Sequence, residues 1–228
     1  MADLTFESAV ETIVSMKGEI IQALGETFIM VGLSTTFAVI FGTILGVLLF
    51  VTSSHQLHYN KQLNLFLDNL VNLMRAFPFV ILMIVMMKPT RMIMGTTFGP
   101  VAASISLSVA AMFYFARLVE QNLAEVPKGV VEAALAMGAK PMTIITKVLL
   151  NEARAGLVRS IAILIIATLG TSAAAGLIGG GGVGDLGIRY GHQRYMADVL
   201  WAVVALLSAL VVCIQTLGNH LAARLDKR

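Results

Sequence analysis

Four stretches of this chain contain no Asp, Glu, Lys or Arg: residues 27–60, 92–116, 160–184 and 199–223. Each is at least 25 residues long. A helix needs about 20 mostly apolar residues to cross the hydrocarbon of a bilayer. Helices of water-soluble domains average only about 11–12 residues. Four such windows in 228 residues therefore point to a membrane. Composition agrees: 57% of residues are hydrophobic and 13% charged, about half the charge of an average soluble domain. An ordinary soluble domain, a disordered chain and a disulfide scaffold are excluded. The single cysteine, Cys213, lies in an apolar run and reads as a small hydrophobe. The net charge of +3 is too small to suggest a nucleic-acid partner.

A fifth span is less regular. Residues 76–87 are uncharged but too few to cross, and the apolar pattern continues backwards to Leu63. One helix over 61–87 is predicted, kinked at Pro78, which has no amide hydrogen. Asp68 and Arg75 would share a face two turns apart, too far for a simple ion pair. Arg75 is read as snorkelling to the interface. The predicted fold is thus an all-α membrane protein of five transmembrane helices, with spans near 24–51, 61–87, 95–117, 145–179 and 197–222.

Basic residues orient it. With the N-terminus outside, inner segments hold Lys61, Arg117, Lys128, Lys140, Lys147, Arg154, Arg159, Arg224, Lys227 and Arg228. Outer segments hold Lys17, Lys88, Arg91, Arg189 and Arg194. Ten against five places the C-terminus in the cytoplasm, ending in a short basic tail at 223–228. The first 20 residues carry Asp3, Glu7, Glu11 and Glu19 against one lysine. That is not the basic start of a signal peptide. It is read as an amphipathic lead-in at the outer surface.

Small residues crowd the spans: Gly42 and Gly46 in the first, Gly99 to Ser108 in the third, Gly170 to Gly176 in the fourth. They let helix backbones approach closely in lipid. Packing within one chain and packing against a second copy both fit.

The longest polar connection, 117–159, contains a short helix with clear punctuation. Pro127 suits a first turn. Gly138 suits the left-handed position after the last turn, and Pro141 prevents continuation. A helix over 127–138 is predicted. Val130, Val131, Ala134 and Leu135 share one face, while Ala133 and Ala136 keep the rest slim. It could dock in a groove of a cytoplasmic partner or rest on the membrane surface. The residue pattern supports both equally.

The same segment resembles the EAA loop of ABC-importer permeases. Glu132-Ala133-Ala134, Gly138 four residues later and Leu150 match that pattern in register. Val148 stands where isoleucine is usual and Asn151 where proline is usual. Further runs resemble the five-span permeases of methionine uptake systems, a branch of the binding-protein-dependent transport permeases with a type I transmembrane domain. These runs are Arg75-Ala76-Phe77-Pro78-Phe79, Phe115 to Glu120, and Gly179 to Gly191. The similarity covers nearly all of residues 20–220. It implies a permease subunit for methionine (L-, and also D-) in the bacterial cytoplasmic membrane, with residues 21–222 as its transmembrane domain. It implies a second copy of the chain, two cytoplasmic ATPase subunits and an external methionine-binding lipoprotein as partners. ATP and Mg²⁺ would sit on the ATPase, leaving this chain without a cofactor. Glu132, Ala133, Ala134, Gly138 and Leu150 would couple the ATPase to the spans through 127–138. Other readings are a permease for another small amino acid or peptide, or an ATP-independent secondary transporter.

Other motifs carry less. The glycine tract matches GxGxxG twice, at Gly179/Gly181/Gly184 and Gly182/Gly184/Gly187. A dinucleotide site needs a preceding strand, and an apolar span precedes this tract. No Gly-Lys dipeptide occurs, so the chain has no P-loop. The tract is read as a flexible outer loop bordering the translocation path, or as a plain connection. With it, Ser172, Gly176, Gly179, Gly180, Gly181 and Gly182 are the candidate path and gate residues. His55 and His58 are spaced for a metal on a helix, but no carboxylate or thiol is near. They are read as a solvated loop, and no metal site is expected. No catalytic constellation stands out. A secondary transporter needs an ion site or inverted repeats within its spans, and neither is visible.

Overall fold

The computed structural model describes residues 6–53 and 59–225, with side chains from residue 10. His55, His58, Lys227 and Arg228 lie outside the described residues. The described chain is helical. A short helix α1 (Phe6–Ser15) leads into the long α2 (Lys17–Thr52). Then come α3 (Lys61–Ala76), α4 (Phe79–Met94), α5 (Pro100–Ala124) and the short α6 (Lys128–Ala136). Helical turns at Pro141–Thr143, a π-helical stretch at Ile144–Leu149 and a last turn at Leu150–Glu152 lead to α7 (Arg154–Gly176). The glycine tract follows, then α8 (Gly182–Leu186), a second π-helical stretch (Gly187–Gln193) and α9 (Ala197–Leu225).

Helices α2, α5, α7 and α9 are each long and apolar enough to cross a membrane. The bent pair α3 and α4 makes a fifth when counted as one span. The single helix expected over 61–87 is therefore corrected. Phe77 (φ −65°, ψ 128°) and Pro78 (φ −58°, ψ 126°) are both extended. Pro78 removes an amide and also pushes the residue before it out of the helical region. The two effects stop the helix where a kink was expected. The span expected over 145–179 is also interrupted. Ala153 (φ −77°, ψ −5°) separates the short turn from α7, and α7 stops at Gly176.

The chain forms two compact units. One comprises residues 1–34, 78–109 and 165–214, and the other 35–77, 110–164 and 215–228. In the second unit, Phe115, Val119, Leu123, Ile144, Leu149 and Leu164 make a fully buried core. Gly42 and Gly46 settle which close approach the small residues serve there. A Cβ on Gly42 would lie 2.9 Å from the Met112 carbonyl oxygen, and one on Gly46 2.5 Å from that of Ala116. The motif thus packs α2 against α5 of the same chain. Asn60 caps α3 by accepting from the Leu63 N–H at 3.1 Å. Asn64 donates to the Leu49 carbonyl at 2.9 Å.

In the first unit, one apolar cluster joins Met16, Ala23, Val183, Leu186, Val199 and Val203. Another joins Met30, Met83, Ala103, Leu107 and Ala175. Ser34 donates to the Ser104 carbonyl at 3.1 Å, a hydrogen bond between two helices at small residues. Across the chain, the apolar window of α5 is 56% buried and that of α9 only 11%. Trp201, Val204, Val212, Leu217 and Leu221 of α9 stand exposed. So large an apolar surface belongs against lipid or another chain.

Candidate functional site

Two elements carry the residues singled out from the sequence. The first is α6. Pro127 (φ −58°, ψ 127°) stands at its N-cap, where its missing amide costs nothing. The helix closes when the Gly138 N–H donates to the Leu135 carbonyl at 2.9 Å and the Ala139 N–H to that of Ala134 at 3.1 Å. Gly138 has φ +75°, the left-handed conformation glycine adopts without a Cβ penalty. Ala134 is buried, anchoring α6 on the core of its unit. Glu132, Ala133 and Gly138 are exposed, as are Val130, Leu135 and Met137. Met137 keeps 81% of its surface. Val131 packs half-buried against the same core, so Ala134 and Val131 fix the helix and its opposite face is presented outward. Leu150 is half-buried just before the break at Ala153. It packs against the same core as Ala134. Asn151 sits in the last turn before that break, so the chain turns there without the usual proline.

The second element is the glycine tract, and it is not a free loop. Gly179, Gly181 and Gly182 have φ of +84°, +78° and +88°. The Gly99 N–H donates to the Gly179 carbonyl at 2.9 Å, and the Gly180 N–H to that of Ala175 at 3.0 Å. Two side chains of α2 then grip the start of α8. Glu26 Oε2 accepts from the Gly182 N–H at 2.7 Å. Thr27 Oγ1 accepts from the Val183 N–H at 2.9 Å. These amides have no partner within their own helix, and α2 supplies the caps. The second oxygen of Glu26 accepts from Gln22 at 2.9 Å.

Close packing explains the remaining glycines. A Cβ on Gly181 would strike Glu26 Oε2, and one on Gly182 would lie 2.7 Å from both Thr27 Oγ1 and Met30 Cε. A Cβ on Gly176 would lie 2.6 Å from the Asp185 nitrogen, so α7 and α8 meet backbone to backbone there. Ser172 is buried, and its hydroxyl donates to the Leu169 carbonyl at 2.7 Å within its own helix. Of the six candidate path residues, five thus form one packed turn around Gly176–Gly182, and Ser172 lies one turn earlier in α7.

Asp185 of α8 pairs with Arg189 in the π-helical stretch that follows, at 2.5 Å, and Arg194 lies over the Tyr190 ring at 4.4 Å. The nearby Glu19 carboxylate holds the Tyr190 phenol above its ordinary range.

In the second unit Asp68 and Arg75 stay apart, as their spacing suggested, and Asp68 has a partner that the sequence reading did not name. Arg117 donates to Asp68 at 2.6 Å, to Asn72 at 2.7 Å and to Glu120 at 2.6 Å. The partner of Asp68 is Arg117 on α5, 49 residues away, and Arg75 is exposed. Sequence reasoning missed Glu26, Thr27 and the role of Arg117. The available signal was position: Glu26 is the last charge before the first uncharged window and Arg117 the first after the second. Among the described residues, no group of His, Cys, Asp and Glu could hold a metal ion.

Long apolar helices, with a short outward-facing helix and a packed glycine turn, define a helical membrane component rather than a soluble enzyme. The chain belongs to the family described as the inner membrane component of binding-protein-dependent transport systems, whose sequence profile matches residues 38–228. It is 41% identical over 203 residues to a probable D-methionine transport system permease protein MetI of Pasteurella multocida, covering 89% of this chain and 94% of that one. It is 42% identical to the methionine import system permease protein MetP of Bacillus subtilis, over 79% and 82% of the two chains. Among solved structures, inward-facing conformations of the MetNI methionine ABC transporter match with a TM-score of 0.92 and 40% identity, over 93% of this chain and 99% of that one. It is a transport subunit of the inner membrane.

Proposed function

We propose that this chain is the permease subunit of an ATP-driven importer of methionine. The observation that carries this reading is the near-complete match, in sequence and in backbone, to methionine permeases. The chain works as two copies, joined by two ATPase subunits on the cytoplasmic side and fed by an external methionine-binding protein. Its N-terminus lies outside and its C-terminus inside, as the basic residues suggest. Residues 21–222 form the transmembrane domain. ATP and Mg²⁺ belong to the ATPase.

In this reading α6 is the coupling helix. Its exposed Glu132, Ala133, Val130, Leu135 and Met137 seat in the ATPase. Ala134, Leu150 and the core they share carry the ATPase movement into the spans. ATP binding and hydrolysis shift the equilibrium between outward-open and inward-open arrangements. The turn at Gly176, Gly179, Gly180, Gly181 and Gly182, with Ser172 behind it, borders the path at its outer end.

The test is reconstitution with a partner ATPase in proteoliposomes. Methionine-loaded binding protein should stimulate ATP hydrolysis and labelled methionine should accumulate. Stimulation by a different loaded solute would keep the transport class and replace the substrate. Accumulation without ATP would contradict the class.

A further inference from the structure

Several helical threonines of this chain bond back to their own backbone. Thr43 donates to the Val39 carbonyl at 2.5 Å, Thr52 to that of Leu48 at 2.7 Å and Thr171 to that of Ala167 at 3.1 Å. Thr90 of α4 does not. It is 3% exposed, and its hydroxyl oxygen has no hydrogen-bond partner among the described residues. A buried hydroxyl left without a bond is destabilising, and buried polar groups have a partner as a rule.

Thr90 lines a small cavity inside the first unit. Met83 and Met87 of the same helix and Ile178 of the glycine turn form its apolar side. Ser106 of α5 and Thr97, in the link between α4 and α5, bring two further hydroxyl groups to its wall. The serines on either side of Ser106 use their hydroxyls within their own helix. Ser104 donates to the Val101 carbonyl at 2.7 Å and Ser108 to that of Ser104 at 2.6 Å. Ser106 lines the cavity instead.

Size and charge together select the occupant. The cavity offers about 10 Å³ to the centre of a water-sized molecule, close to the space that one water needs. A solute of several heavy atoms does not fit. Its lining carries no charged side chain, so an ion would meet nothing of opposite sign. A buried water makes about two to four hydrogen bonds, and Thr90, Thr97 and Ser106 can supply them. We propose that this cavity is a binding site for a single water, bonded to the Thr90 hydroxyl and linking α4 to α5 beside the glycine turn. The site is independent of which solute the chain transports.

The test is X-ray radiolytic footprinting of the purified full chain in lipid nanodiscs. Radicals formed from an ordered water oxidise the side chains beside it, and methionine is readily converted to its sulfoxide. Met83 is buried and lines the cavity, whereas Met30 is fully buried in the same apolar cluster and does not. Met83 should be oxidised well above Met30, a comparison that needs no variant. Thr90→Val keeps the shape and removes the hydroxyl. It should lower Met83 oxidation several-fold and leave that of the exposed Met92 unchanged. Thr90→Ser, which keeps the hydroxyl, should retain the wild-type level. Thr90→Val should also lower the Tm, because the water loses its anchor. Were the hydroxyl simply unpaired, valine would leave the Tm unchanged or raise it. Oxidation of Met83 no greater than that of Met30, oxidation unchanged in Thr90→Val, or a Tm of that variant at or above wild type would overturn the site.

Discussion

Glu26 Oε2 accepts a hydrogen bond from the Gly182 N–H across 156 residues of sequence, at 2.7 Å. The residues at both ends are specific to the task. A carboxylate is the stronger acceptor for a free helix amide, and only glycine leaves room at 181 and 182. Glu26→Ala should leave two amides with one cap and loosen the turn. Gly181→Ala should do so through both strain at φ +78° and collision with Glu26. Each variant should reach the membrane and show reduced uptake. Gly25→Ala, with open space around it, should behave as wild type.

Gly46 and Gly18 should respond differently to alanine. At Gly46 the new methyl group would meet the Ala116 carbonyl oxygen at 2.5 Å and Val119 Cβ at 2.6 Å. Overpacking of this kind costs about 1–3 kcal/mol. At Gly18 nothing lies within 4 Å, and alanine favours a helix by about 0.8–1 kcal/mol over glycine. Thermal unfolding in detergent should show a lower Tm for Gly46→Ala and an unchanged or higher one for Gly18→Ala.

Arg117 holds three acceptors at once. Its side chain is 16% exposed, that of Glu120 20% and that of Asp68 37%. Arg117→Met would leave two carboxylates close together without their cation, a cost of about 3–5 kcal/mol for a fully buried pair and less at this exposure. Arg117→Lys cannot reproduce the guanidinium fork. The Tm should fall in the order Arg117→Met, Arg117→Lys, Asp68→Asn, the last being mildest because Asp68 is the most exposed. An equal fall in all three would mean that the fork does not bridge α3 and α5.

The spans were legible because membrane helices follow length and charge, and both are local properties. The windows at 27–60, 92–116 and 199–223 became α2, α5 and α9. Irregular backbone was less legible. Pro78 signalled a kink, yet the sequence did not show that Phe77 would also leave the helical region. The π-helical stretches at Ile144–Leu149 and Gly187–Gln193 carry no residue signature. The glycine tract looked loose because its anchors, Glu26 and Thr27, sit on α2, about 150 residues away. The Asp68–Arg117 pair was hidden for the same reason. The punctuation of α6 was readable throughout, since Pro127 and Gly138 act within a few residues of themselves.

At the coupling surface, strain and chemistry can be separated. A methyl group on Gly138 would have nothing within 4 Å, but the residue stands at φ +75°. Alanine there should cost about 1–2 kcal/mol of local backbone energy, spoiling the end of α6 without a clash. Glu132→Lys changes only the exposed face. Both variants should insert normally and lose ATPase on co-purification. Retention of the ATPase with normal uptake in both would mean that α6 is not the docking element.

The central claim is tested most directly by labelled methionine uptake in cells lacking their own high-affinity system. This chain would be expressed with its ATPase and binding protein, and each would be omitted in turn. The account predicts saturable uptake that needs all three and is blocked by unlabelled methionine but not by leucine. Uptake by this chain alone would contradict it.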